Sequence, residues 1–81
     1  MNDAINNRFK ELRIECEKSQ EAWGKILGIT KSGVSDVERG KRDVTEKHIK
    51  FLCLSPINGR YVNEEWLRNG TGDMFLQLPE E

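Results

Sequence analysis

Cysteine is scarce in this chain, with only Cys16 and Cys53, far apart and each inside a helical pattern. That scarcity argues against a disulfide scaffold and predicts two reduced core thiols. Histidine is scarcer still. His48 is the only one, so a zinc site built from it and the two cysteines lacks both a fourth ligand and a close ligand pair. We expect no bound metal and no cofactor, and His48 reads as a solvated helix residue. Long hydrophobic runs are missing as well. The longest, Phe51 to Leu54, is far too short to cross a bilayer. The opening stretch from Met1 to Arg8 carries neither the apolar core of a secretory signal nor a basic amphipathic transit pattern, which predicts a cytoplasmic protein without a membrane partner.

Net charge is also nearly absent. Thirteen basic and fourteen acidic side chains leave about −1 at neutral pH, which excludes a protein that coats polyanions indiscriminately. The charge is unevenly placed, however. Lys25 to Arg42 holds five basic side chains against two acidic, whereas Asn63 to Glu81 holds Arg68 against five acids. One part of the chain suits phosphate and the other does not. Catalytic groupings are lacking too: there is no glycine-rich phosphate loop, no nucleophile paired with a recognisable base, and no evident small-molecule site. The paired acids Glu64 and Glu65 fit the first turn of a helix better than acid–base chemistry. An enzyme is the least supported class.

What is present reads as one all-α domain over residues 1–81, with 70–81 a tail or dimerisation segment. Ile5, Phe9, Leu12 and Cys16 recur at helical spacing and predict an amphipathic helix over about residues 4 to 17. Ser19 caps a second helix, which carries Trp23 and Leu27 on one face and stops at Gly28. Thr30, Thr45 and Asn63 each cap a further helix. Around each cap an apolar pair is placed to staple the entry: Ile29 with Val34, Val44 with Ile49, and Val62 with Leu67. The third helix stops at Gly40, the fourth runs to about Leu54 because Ser55 precedes Pro56, and the fifth spans Glu64 to Asn69. No segment alternates convincingly like a strand. Ile57 to Tyr61 reads as a tight turn with two short arms, and Met74 to Leu78 as a short extended segment.

The second and third helices, joined by Leu27-Gly28-Ile29-Thr30, match helix-turn-helix geometry, whose second helix lies in the major groove. Gly24 lies in the middle of a helix, where glycine costs about 1 kcal/mol against alanine; close approach of the next helix is the physical reason to place it there. Ile26 serves either as an extra core contact or as part of a protein interface.

In their order and spacing, several segments resemble the phage repressor and Cro-like helix-turn-helix proteins, which include the xenobiotic-response-element regulators of bacteria. They are Phe9-Lys10-Glu11-Leu12-Arg13, Ser19-Gln20-Glu21, Leu27-Gly28-Ile29-Thr30-Lys31-Ser32, Val34-Ser35, Val37-Glu38-Arg39-Gly40-Lys41-Arg42 and Val62-Asn63-Glu64-Glu65-Trp66-Leu67-Arg68-Asn69-Gly70. The resemblance covers about Ile5 to Phe75 and implies a compact five-helix bundle of the lambda-repressor type. It implies that Lys31, Ser32, Ser35 and Asp36 face base edges, and that Gln20, Thr30, Arg39, Lys41 and Arg42 meet phosphates. Arg13 and Glu38 correspond to a structural ion pair tying the first helix to the end of the recognition helix. Asp36 departs from the family, which often carries a long polar or basic side chain there; it would repel phosphate but accept a hydrogen bond from cytosine. Gly33 presents no side chain to a base, so specificity would rest on few direct contacts and on DNA shape. The connection from Ser55 to Val62 is longer than usual in the family.

The functional expectation is a sequence-specific, double-stranded-DNA-binding regulator of phage or prophage repressor type. It would read a palindromic operator as a homodimer through Trp66, Leu67, Met74, Phe75 and Leu76, with Leu78 beyond them. For Trp66, completing the protomer core is the stronger reading. Two alternatives use the same fold: a restriction-modification controller protein that also activates, and an antitoxin-like protein-interaction module.

Overall fold

A computed structural model describes residues 4–76. Five helices follow in order: α1 (Ala4–Glu15), α2 (Gln20–Leu27), α3 (Lys31–Glu38), α4 (Glu46–Leu54) and α5 (Glu64–Asn69). Their starts obey capping chemistry. Ser19 Oγ accepts from the Ala22 amide, Thr30 Oγ1 from Gly33, Thr45 Oγ1 from His48 and Asn63 Oδ1 from Glu65. Each bond satisfies one of the amide groups that a helix leaves without an internal partner. Gly28 and Gly70 end α2 and α5 in the left-handed region, at φ 76° and 78°, where a side chain is disfavoured.

The first helix is shorter than its apolar period predicts. It stops at Glu15, and Glu17 adopts φ 58° so that Ser19 can enter its extended cap conformation. The reversal is held by Lys18 N donating to Arg13 O, while Arg13 Nη1 donates to the Lys18 carbonyl at 2.9 Å.

One core forms between the helices. Phe9, Leu12 and Cys16 of α1 and its exit meet Trp23, Leu27, Val34, Val37, Ile49 and Leu52, all buried. Trp23 is fully enclosed, packs edge-on against Phe9 with ring centroids 6.2 Å apart, and leaves its indole N–H without an acceptor among the described residues. Ile29 and Val44 pack against this core, and Val62 and Leu67 lie within it. Ile26 joins them as an extra core contact. Cys16 and Cys53 are free thiols, and burial raises both pKa values, Cys53 to about 11. Neither is a thiolate nucleophile at neutral pH.

Two expectations are corrected here. His48 is only 8 % exposed rather than solvated, because its ring tilts against Phe9 and its Nδ1 accepts the Thr45 amide, completing a capping box. Leu67 has no exposed surface, so it belongs to the protomer core and not to a dimer surface.

The long connection after α4 is a built element. Ile57 and Arg60 exchange both backbone hydrogen bonds around Asn58 and Gly59, whose positive φ values of 54° and 80° make a type I′ turn. Ile57 enters the core, and Asn58 Nδ2 donates to the Cys16 carbonyl at 2.8 Å, closing the end of α1. A second bridge pairs Val62 with Phe75, flanked by Asn63 N donating to Met74 O and Leu76 N to Tyr61 O. Residues 70–76 thus fold back on the protomer; Leu78 lies outside the described residues. Arg60 covers the Phe75 ring, 3.9 Å from its centroid. Helix α5 is docked from two sides. Arg8 donates to the carbonyls of Leu67 and Arg68 at its C-terminus, and Arg68 clamps Glu46 of α4 with two hydrogen bonds of 2.6 and 2.7 Å. Those bonds hold the Glu46 carboxyl below its ordinary pKa.

Candidate nucleic-acid interface

The approach of α2 and α3 is set by Gly24. A Cβ built there would lie 2.5 Å from the Ile29 carbonyl oxygen and 3.3 Å from that of Thr30. The same region is fastened by the Ile29 amide donating to Gly24 O at 2.9 Å. The short turn therefore runs directly over the backbone of α2, and α3 leaves it at a fixed angle.

On α3, Val34 and Val37 face the core while Lys31 and Ser32 are exposed and Ser35 and Asp36 are half-buried. The structure thus places the four expected base-facing residues away from the core. Asp36 is engaged by Arg39, whose Nη2 lies 3.1 Å from Oδ1. That pairing offsets part of the Asp36 charge, which would otherwise repel phosphate. Gly33 is buried, and a Cβ on it would meet the Arg42 guanidinium at 3.3 Å and Thr30 Oγ1 at 3.4 Å. It lets Arg42 lie against the first turn of α3.

The expected phosphate-facing residues divide into two groups. Thr30 and Gln20 stand at the N-terminal ends of α3 and α2; Thr30 is exposed but spends its oxygen on the cap, and Gln20 is half-buried. Arg39, Lys41 and Arg42 are exposed in the loop beyond α3, where the Lys41 and Arg42 amides both donate to the Asp36 carbonyl. Lys41, Arg42, Asp43, Thr45 and His48 line an open hollow beside this loop. Burial, then the charges of Lys47 and Arg42, hold His48 below its ordinary pKa of 6.5. The imidazole is neutral at pH 7, as its acceptor role at Nδ1 requires.

Behind this surface lies the ion pair. Arg13 Nε donates to Glu38 Oε2 at 2.5 Å and Nη2 to Oε1 at 3.1 Å, while Gln20 Nε2 donates to the same carboxylate at 3.0 Å. The Glu38 side chain is 3 % exposed and that of Arg13 15 %. Three elements thus converge on one buried carboxylate, and Gln20 is held by it. Removing one partner leaves an uncompensated charge, so Arg13→Ala is expected to lower stability by about 3–5 kcal/mol. Urea unfolding measures this, and a loss below about 1 kcal/mol would mean that the pair behaves as a surface contact.

Sequence reasoning missed Asn6. It is buried on α1 and hydrogen-bonds the end of α3 and the basic loop. Its signal was an asparagine, a poor helix former, on the face it shares with Phe9 and Arg13. Among the described residues there is no cluster of metal-ligating side chains, and no helix is long and apolar enough to cross a membrane.

No solved structure gives a significant match to the chain. The helix-turn-helix family model matches residues 9–54, more than half of the chain and the whole of the α2–α3 unit. With the recognition helix presented and its packing accounted for, the chain belongs to the Cro-type helix-turn-helix family of DNA-binding regulators.

Proposed function

We propose that this protein is a repressor of phage or prophage type that binds a palindromic operator as a homodimer. The observation that carries the reading is the placement of Lys31 and Ser32 on the exposed side of a helix whose other side is anchored by Val34 and Val37 and whose exit presents Lys41 and Arg42. Such a helix enters the major groove while the loop grips the backbone. In this reading Lys31, Ser32, Ser35 and Asp36 face bases, and Gln20, Thr30, Arg39, Lys41 and Arg42 face phosphates. Two-fold pairing through the exposed Leu76 and the half-buried Trp66, Met74 and Phe75 would set two recognition helices about 34–36 Å apart.

The roles are separable by experiment. Sites are selected from a random duplex library with the native protein, then re-measured with variants. Lys41→Ala or Arg42→Ala should weaken all sequences alike, whereas Ser32→Ala or Ser35→Ala should change the preferred base, with about 1–3 kcal/mol of discrimination at the affected position. Identical behaviour of both sets would refute the assignment. Recovery of a stoichiometric protein partner, with no enriched duplex, would favour the antitoxin-like reading.

A further inference from the structure

Asn6 makes two long-range side-chain bonds. Its Nδ2 donates to the Val37 carbonyl at 2.8 Å and to the Arg42 carbonyl at 2.9 Å, across 31 and 36 residues of sequence. The side chain is 8 % exposed, so water does not substitute for these bonds freely. The amide NH₂ group offers two hydrogens to two carbonyls from one uncharged atom; a carboxylate would face both with like charge, and an alkyl group would leave both acceptors unmet.

The two carbonyls bracket the segment that leaves the recognition helix. Val37 is the last buried residue of α3, and Arg42 closes the basic loop. Among the described residues the backbone bonds of this loop run to α3 itself: Gly40 N donates to Val37 O at 3.0 Å, and the Lys41 and Arg42 amides donate to Asp36 O at 2.8 and 3.3 Å. The Arg13–Glu38 pair ties α3 itself to α1, and Asn6 carries that attachment on to the loop through the Arg42 carbonyl. We propose that Asn6 is the positioning residue for the phosphate grip: it touches no DNA, and it sets where Lys41 and Arg42 stand relative to the exposed side of α3. This rests on the DNA-binding reading above. The same bonds explain an asparagine in a helix that would be better formed without it.

The test has one arm without DNA and one with it. Amide hydrogen exchange of the free protein reads the loop directly. In Asn6→Ala, exchange at Lys41 and Arg42 should quicken about tenfold or more, the value of one buried hydrogen bond, while the slowest amides of α1 and α2 keep their protection. Asn6→Ser keeps one donor and should fall between. In the second arm, losing two phosphate contacts per half-site should reduce the slope of log affinity against log salt by nearly 2 per half-site, with the preferred sequence unchanged. Asn6→Ala should cost no further affinity when added to Lys41→Ala with Arg42→Ala. Unchanged exchange at Lys41 and Arg42, or fully additive losses at an unchanged salt slope, would overturn the proposal. So would loss of protection throughout the core in both variants, which would make Asn6 a general brace. If the native protein shows no salt-dependent duplex binding, the functional reading falls while the exchange arm still decides whether Asn6 holds the loop.

Discussion

Gly24→Leu is expected to abolish folding. Even the first carbon of a side chain at this position meets the Ile29 carbonyl oxygen at 2.5 Å, a separation that real Cβ atoms essentially never show. The obstacle is backbone, so no rotamer change relieves it. Moving the turn would drag Ile29 and Thr30 with it, break the Ile29 amide bond to Gly24 O, and lift Val34 and Val37 from the core. Helix propensity acts in the opposite direction, since alanine is favoured over glycine by about 1 kcal/mol in a helix interior. Gly24→Ala therefore separates the two effects: overpacking of this kind costs about 1–3 kcal/mol and should outweigh the propensity gain. Leucine adds three further carbons to the same clash, against a total stability of about 5–15 kcal/mol for a domain of this kind. Circular dichroism with thermal melting checks both variants, and an unchanged melting temperature for Gly24→Leu would refute the close-packing account.

Most of this fold is legible in the sequence because the interactions that set its helix ends are short in range. Ser19, Thr30, Thr45 and Asn63 cap helices through bonds to amides two or three residues away, so residue type and spacing suffice to identify them. The turn at Asn58-Gly59 and the stop at Ser55-Pro56 are equally local. His48 defeated the same logic by a small margin. Its spacing from Thr45 is that of a capping box, but the usual partner at that position is Glu or Gln, and an imidazole serving instead is visible only once Nδ1 is seen facing the Thr45 amide. Leu67 shows a different limit. An apolar residue on a short helix looks the same whether it seals one protomer or joins two, and only the docking of α5 by Arg8 and Arg68 distinguishes them.

The candidate site was legible in composition more than in geometry. The basic surplus and the order of Thr30, Lys31, Ser32 and Ser35 marked the recognition helix and its orientation followed from Val34 and Val37. The tethering of Gln20 to Glu38, of Asp36 to Arg39 and of Asn6 to the basic loop was not legible. The first and third of these join residues brought together only by the assembled core, and Asp36 and Arg39, though three apart on one turn, were each assigned to DNA. In the proposed DNA-binding reading the same tethers bear on affinity. A side chain already oriented by a neighbour loses less freedom on meeting a ligand, which favours a preformed surface over one ordered by DNA.

In the proposed reading this surface holds the backbone of duplex DNA, and charge neutralisation makes the consequence large. A dimer in which each protomer offers Arg39, Lys41, Arg42 and the N-terminal ends of α2 and α3 would make about 6–10 phosphate contacts, each releasing condensed counterions from the duplex. The overall charge of about −1 leaves no general attraction to DNA that could imitate this effect. Affinity for the selected duplex, measured by fluorescence anisotropy as salt is raised from 50 to 200 mM, is therefore the decisive quantity. A fall of about 10³–10⁵ is predicted. An affinity that stays flat across that range would contradict the account, because the cationic loop beyond α3 would then be meeting something other than phosphate.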